Sequence, residues 1–177
     1  MPLMVLLGLG VRDGATPVDG WFQQGGGPPL GWLLLFTDAG TAKAMLIVAL
    51  LVAMARRLWA LVPIIVAVPV LAVLATDTLK PWFGRMKGDA LAYPSGHTTV
   101  MIVVLGMLVL AVGVRTWVLA AAAVFAMLGI IGQAVTYHYF TDAIGSVLLG
   151  TSLVCIAAVL VRRLHRGTRG SWLRLRP

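Results

Sequence analysis

Long apolar runs follow one another along the chain, and the charged and histidine residues fall where the runs end. Thr41–Ala55 stops at Arg56-Arg57, Leu58–Leu79 at Lys80, Thr98–Val114 at Arg115, Thr116–Tyr137 at His138, and Ala143–Val161 at Arg162-Arg163. A helix that crosses a bilayer needs about 20 residues. In lipid only helices and closed barrels satisfy their own backbone. The runs therefore predict an all-α polytopic membrane bundle of about five full transmembrane helices. Thr41–Ala55 is short and reaches spanning length by recruiting upstream residues or by letting Lys43 snorkel. Met1–Val11 is apolar but well under that length, so it predicts a short N-terminal segment that dips into or partly crosses the membrane. It has no basic n-region and no small-residue cleavage site, which argues against a signal peptide. Residues 11–37, with Arg12, Asp13, Asp19 and the breaker Gly25-Gly26-Gly27-Pro28-Pro29, read as an outer loop carrying a short interfacial helix around Asp19–Gln24.

Composition turns this pattern into a class. Of 177 residues, 60% are hydrophobic and 11% charged, against about 45–50% and 25% in soluble domains. The chain reads as one integral membrane domain, 1–177, in contact with membrane lipids. The net charge of +8 does not point to nucleic acid, because no basic-aromatic patch accompanies it. It is explained by a basic tail, 162–177, in which Arg162, Arg163, Arg166, Arg169, Arg174 and Arg176 follow the last run. Arg56-Arg57, Arg115 and this tail lie at alternate ends of successive spans and so share one side. The positive-inside tendency makes that side cytoplasmic, in the plasma membrane, with the C-terminus inside. Lys80, Arg85, Lys87 and both His97 and His138 then face outside. Cys155 stands alone in an apolar run, so no intrachain disulfide can form. Asp77, three residues before Lys80, predicts an ion pair on one helix face.

The chemistry sits at the run ends. His138 and Asp142 are four apart, which stacks one side chain over the other at a helix start. A carboxylate on one imidazole nitrogen fixes the tautomer and frees the other nitrogen as a base or nucleophile. His97 follows Pro94-Ser95-Gly96 and opens a helix. Free N–H groups and the helix dipole at such a turn suit an anion, and a histidine there can give a proton to a leaving group. Lys80, Arg85 and Lys87 add three cations within eight residues. Nucleophile, orienting carboxylate, acid, anion-holding turn and cations are the parts that phosphoryl transfer requires. No His, Cys, Asp and Glu cluster has metal-ligand spacing, and no cofactor is implied.

These residues resemble the signature of the type-2 phosphatidic acid phosphatase superfamily, membrane lipid phosphate phosphatases related to vanadium haloperoxidases. That signature has three parts: Lys, six residues, Arg-Pro; Pro-Ser-Gly-His; and Ser-Arg, five residues, His, three residues, Asp. The second part is intact at Pro94–His97, and the third keeps His138 and Asp142. The first keeps Lys80, with Lys87-Gly88 where the family has Arg-Pro. The arginine of the third part falls on Gly132, after Ile131 and before Gln133. The resemblance covers roughly Asp38 to Val161. It implies a phosphatase of a lipid-linked phosphate: a polyprenyl phosphate, pyrophosphate or phosphoryl-sugar, or a phosphatidic-acid-like lipid. His138 would attack phosphorus, Asp142 would orient it, and His97 would protonate the leaving oxygen. Lys80, Lys87, Arg85 and the Ser95–Gly96 turn would hold the phosphate, with Gln133 offering a neutral hydrogen bond. The two missing arginines equally fit a weak or inactive relative that binds or carries phospholipid. A small proton-linked transporter using His138, Asp142 and Asp77 is a third class, but its ionisable groups would be expected at mid-membrane in broken helices.

Overall fold

The computed structural model describes the backbone of residues 1–25 and 28–172 and the side chains of 1–25 and 30–164. In chain order it runs α1 Pro2–Val11, α2 Pro17–Gly25, a 3-10 segment Pro28–Phe36, α3 Ala39–Ala55 and α4 Val62–Phe83. A small hairpin follows, β1 Met86–Lys87 and β2 Ala90–Leu91, then α5 Gly96–Val112, α6 Thr116–Val135 and α7 Phe140–Trp172. The chain is an all-α membrane helix bundle. Leu30–Ala55, Val62–Phe83, Thr116–Val135 and Phe140–Leu164 are each long and apolar enough to cross a membrane.

The fifth expected span, α5, has 17 residues, about 25 Å at 1.5 Å per residue. Its surroundings explain its length. α5 packs against α3, α4, α6 and α7, and ten of its 17 residues are buried. An apolar helix walled in by others is a core helix, so protein rather than lipid sets its length. The outer helices show the opposite pattern: Val66, Val70, Leu71, Val73 and Leu74 of α4 are all exposed. Without a hydrophobic force between helices in lipid, close packing by small residues holds such bundles. A Cβ on Gly106 of α5 would run into the Val154 side chain, and one on Gly145 of α7 into the Tyr93 ring.

Local chemistry fixes the ends. Arg57 takes a left-handed φ of 56°, so α4 starts at Val62 rather than at Leu58. It runs through Pro81 to a left-handed cap at Gly84 (φ 65°), which places Lys80 in its last turn rather than beyond it. α6 ends at Val135, short of Tyr137. α7 begins at Phe140 and continues past Val161, so the first part of the basic tail is helical; Arg166, Arg169, Arg174 and Arg176 lie outside the described side chains. Arg56 Nη1 donates to the carbonyls of Ala111 and Val112, at 2.7 and 2.5 Å, so the end of α3 meets the end of α5. The opposite end collects the starts of α3, α5 and α7 and the ends of α4 and α6.

Two departures from expectation lie at that second end. Within residues 11–37 the expected short helix is present as α2, but a 3-10 segment joins it and both pack on α6, and Phe22 of α2 stacks on Phe140 at 4.3 Å. The hairpin was not foreseen either. It pairs Met86 with Leu91 and Lys87 with Ala90 around Gly88-Asp89, with Gly88 at φ 59°. Such a two-residue turn needs a positive φ.

Candidate functional site

Three helix starts meet at the site end, each capped by its own side chain. Asp38 accepts from the Gly40 N–H at 2.7 Å at the head of α3. Ser95, fully buried, accepts from the Thr98 N–H at 3.4 Å at the head of α5. At the head of α7, Asp142 reaches back to accept from the Tyr139 N–H at 2.9 Å. α2 begins the same way: Asp19 accepts from the Thr16 N–H at 2.9 Å, and Thr16 Oγ1 accepts from the Asp19 N–H at 3.3 Å. Asp19 and Asp142 each occupy the third helical position, where a carboxylate completes a capping box and sits on the positive end of the helix dipole.

Arg85 lies between these two carboxylates. Its side chain is fully buried. Nη1 donates to Asp142 Oδ1 at 2.5 Å and to Thr141 Oγ1 at 2.6 Å. Nη2 donates to Asp19 Oδ2 at 2.8 Å and to the Gly14 carbonyl at 2.7 Å. Thr141 ties the cluster together by donating its N–H to Asp19 Oδ1 at 2.9 Å. Burial pushes the Asp19 carboxyl up, but the N–H bonds from Thr141 and Thr16 and the Arg85 guanidinium outweigh it and hold the pKa below its ordinary value. Arg85, expected to grip a phosphate, thus has both terminal nitrogens engaged by protein. The reason is electrostatic: two carboxylates buried within reach of one guanidinium outcompete a ligand for it.

Lys87 is committed in the same way. Nζ donates to the carbonyls of Thr136 and His138 at 3.1 and 3.0 Å and stands 5.0 Å from the centre of the Tyr139 ring. Burial lowers its pKa, and Arg85 adds to this, against the opposing charges of Asp142 and Asp19. Gln23 of α2 also donates to the His138 carbonyl, at 3.2 Å. Lys87, expected on the phosphate, instead fastens the turn that carries His138.

His138 turns Nδ1 inward, 3.7 Å from Asp142 Oδ2. That is ion-pair range and too long for a hydrogen bond. Nδ1 is buried without a partner, because Asp142 already serves Arg85 and the Tyr139 N–H. The 12% exposure of the side chain therefore belongs to the rest of the ring. His97, in the first turn of α5, is exposed and within electrostatic reach of His138, Lys80 and Asp38. The two histidines, forty-one residues apart in sequence, lie at the same end of the bundle.

Two cavities open beside His97. One, of about 380 Å³, runs between α3, α4 and α5; Lys43, Asp77, Lys80, Gly96 and His97 line it together with Leu46, Pro69, Val73, Val100 and Val104. Asp77 makes no ion pair with Lys80, contrary to expectation: Asp77 is exposed, and both residues border this cavity. The other cavity, of about 440 Å³, lies under the 3-10 segment and is lined by Trp32, Thr37, Asp38, His97, Gln133 and Tyr137 among others. Gln133 is buried, donates Nε2 to Thr37 Oγ1 at 2.7 Å, and leaves Oε1 without a partner.

The sequence-expected residues thus divide. His97, Lys80 and Gly96 line the α3–α4–α5 cavity, and His138 lines neither cavity but keeps 12% of its side chain exposed, whereas Arg85, Lys87 and Ser95 are held inside the framework. Asp142 joins both sets. Asp19 and Thr141 were missed, although the capping pattern Thr16-Pro17-Val18-Asp19 was a readable sign of a helix start two residues earlier than expected. Among the described residues no group of three His, Cys, Asp or Glu side chains could hold a metal ion. A scan against protein-family models, a search of curated proteins and a search of solved structures each found no match.

Proposed function

We propose that this chain is an integral membrane phosphatase that hydrolyses a lipid-linked phosphate through a phosphohistidine. One observation carries the reading: Lys80 and His138, whose Nδ1 is 3.7 Å from Asp142, share one end of the bundle with His97 and lie within its electrostatic reach, and there His97 and Lys80 line a cavity with charged and apolar walls. In this mechanism the His138 nitrogen turned away from Asp142 attacks phosphorus. A P–N bond forms and the P–O bond to the lipid breaks. His97 gives the leaving oxygen its proton, and Lys80 offsets phosphate charge. Water then attacks the phosphohistidine, His97 takes a proton from it, and inorganic phosphate leaves. Asp142 balances the positive charge that His138 acquires.

Sidedness follows from charge. Arg56, Arg57 and Arg115 flank the helix ends opposite the site, and Arg162 and Arg163 follow the apolar part of α7. The positive-inside tendency puts those ends in the cytoplasm and the site on the outer face of the plasma membrane.

The test is phosphate release from a lipid phosphate by the purified protein, with labelling of the protein by substrate phosphate. The label is expected to be stable in base and labile in acid, and His138→Ala is expected to abolish both label and release. A second reading, a phospholipid binder without turnover, is favoured by the commitment of Arg85 and Lys87 to protein partners. Tight binding of lipid phosphate with no label and no release would select it.

A further inference from the structure

Phosphate charge has to be met by something other than Arg85 and Lys87, because protein acceptors hold both terminal nitrogens of the one and the ammonium of the other. The cavity between α3, α4 and α5 supplies two cations. Lys80 lines it from the last turn of α4, and Lys43 lines it from the second turn of α3. α3 starts at the site end and α4 stops there, so both lysines lie about one helical turn in from that end. Gly96 and His97, at the head of α5, line the same space. Neither lysine ammonium makes a hydrogen bond or an ion pair among the described residues. Asp77, three residues before Lys80, is the one carboxylate in the lining, so the walls carry a net positive charge. The rest of the lining is largely hydrocarbon, with Leu46, Val73, Val100 and Val104 deeper along their helices than the charged groups. Ionisable groups are costly at membrane depth, and those that line a cavity there mark ligand sites. A lysine that only snorkels reaches outward to lipid headgroups and needs no second cation on a facing wall.

We propose that Lys43 is a phosphate-binding residue: with Lys80 on the facing wall it takes up the terminal phosphate of a lipid, whose hydrocarbon lies along Leu46, Val73, Val100 and Val104. This rests on the phosphatase reading for the fate of that phosphate, but not for its binding. An ammonium is a point charge without the planar fork of a guanidinium. The pair therefore reads total charge rather than shape. It favours a phosphomonoester, which carries close to two negative charges, over a phosphodiester, which carries one. A phosphomonoester is also the substrate from which attack by His138 and then by water releases inorganic phosphate.

The experiment measures binding of dodecylphosphonate and of its monomethyl ester to the purified full chain in uncharged detergent and mildly alkaline buffer. The first ligand carries close to two charges and the second carries one, and the P–C bond of both resists hydrolysis. Dodecylphosphonate should bind more tightly to the wild type. Lys43→Gln should weaken its binding about fivefold and that of the ester only about twofold. Lys43→Arg keeps the charge and should stay within about twofold of wild type. Arg12→Gln removes an exposed cation outside the cavity and should change neither affinity. Should Lys43→Gln fail to fold, Lys43→Met takes its place with the same expectation. Three results overturn the assignment: equal binding of the two ligands by the wild type, a dodecylphosphonate affinity in Lys43→Gln within about twofold of wild type, or an equal loss in Arg12→Gln. Phosphate release from dioctanoyl phosphatidic acid is followed in the same preparations. Release with no effect of Lys43 on binding sinks the assignment and leaves the phosphatase. An effect of Lys43 on binding with no release supports the assignment and sinks the phosphatase.

Discussion

Two polar regions lie side by side at one end of the bundle, and they are built on opposite rules. Around Arg85 both terminal nitrogens meet acceptors, and only Nε is left without one: two carboxylates, a hydroxyl and a carbonyl surround one fully buried guanidinium. Around His97 the groups stay accessible or unpaired. Lys80 and His97 border open cavities, Gln133 Oε1 has no partner, and neither has His138 Nδ1. In a chain with so few charges, the densely bonded cluster serves the framework, and the accessible groups are those of His97 and Lys80. Asp142 is the hinge between them, bonded to Arg85 on one oxygen and facing His138 with the other.

That contrast can be broken most forcefully at Arg85. Arg85→Met leaves Asp19 and Asp142 buried without their cation, a loss of about 3–5 kcal/mol, read as a large drop in thermal unfolding temperature of the purified protein. Arg85→Lys should rescue little, because a point charge cannot fork between two carboxylates. Asp142→Asn touches both regions and should lower turnover roughly 10³-fold or more, as loss of a histidine's orienting carboxylate does in hydrolases. Asp19→Asn sharpens the comparison: it leaves one carboxylate for one guanidinium, a neutral pair, so stability should fall by only about 1–3 kcal/mol. Turnover at neutral pH should fall far less than in Asp142→Asn. Lys80→Ala should weaken substrate binding, with a salt-sensitive rise in KM, while stability stays within about 0.5 kcal/mol of wild type.

The smallest effect is one of pH. The Asp19 carboxyl is held below its ordinary value of 3.8, so its contribution to stability is present above that value and is lost as pH falls through the lower folded one. The stability gap between wild type and Asp19→Asn should therefore be constant at neutral pH and close only in strong acid. A gap that closes near pH 6 would mean that Asp19 is not the group responsible.

What could be read beforehand follows the physics of each level. The runs ending at Arg56, Lys80, Arg115 and His138 gave the bundle and its up-and-down course, because hydropathy and length are additive along the chain. The placement of residues 97 and 138 at one end of the bundle followed from that alternation. Charge partners were not additive in this way. Asp77 and Lys80 are close in sequence yet unpaired, whereas Arg85 finds Asp19 and Asp142 at separations of 66 and 57 residues. Neither partner was visible as such, since the only local mark of either aspartate is its capping position, three residues after Thr16 and after Tyr139. Gln133 shows the same limit: its residue type suggested a neutral hydrogen bond to phosphate, but in the fold its buried amide bonds Thr37, ninety-six residues away.

The grip of Arg56 on the last carbonyls of α5 has a mechanical meaning. Pinned at its far end and wedged between four neighbours, this central post cannot slide, so His97 stays at a fixed height. Any opening for a bulky lipid has to come from the surrounding wall, not from the stave that holds the imidazole.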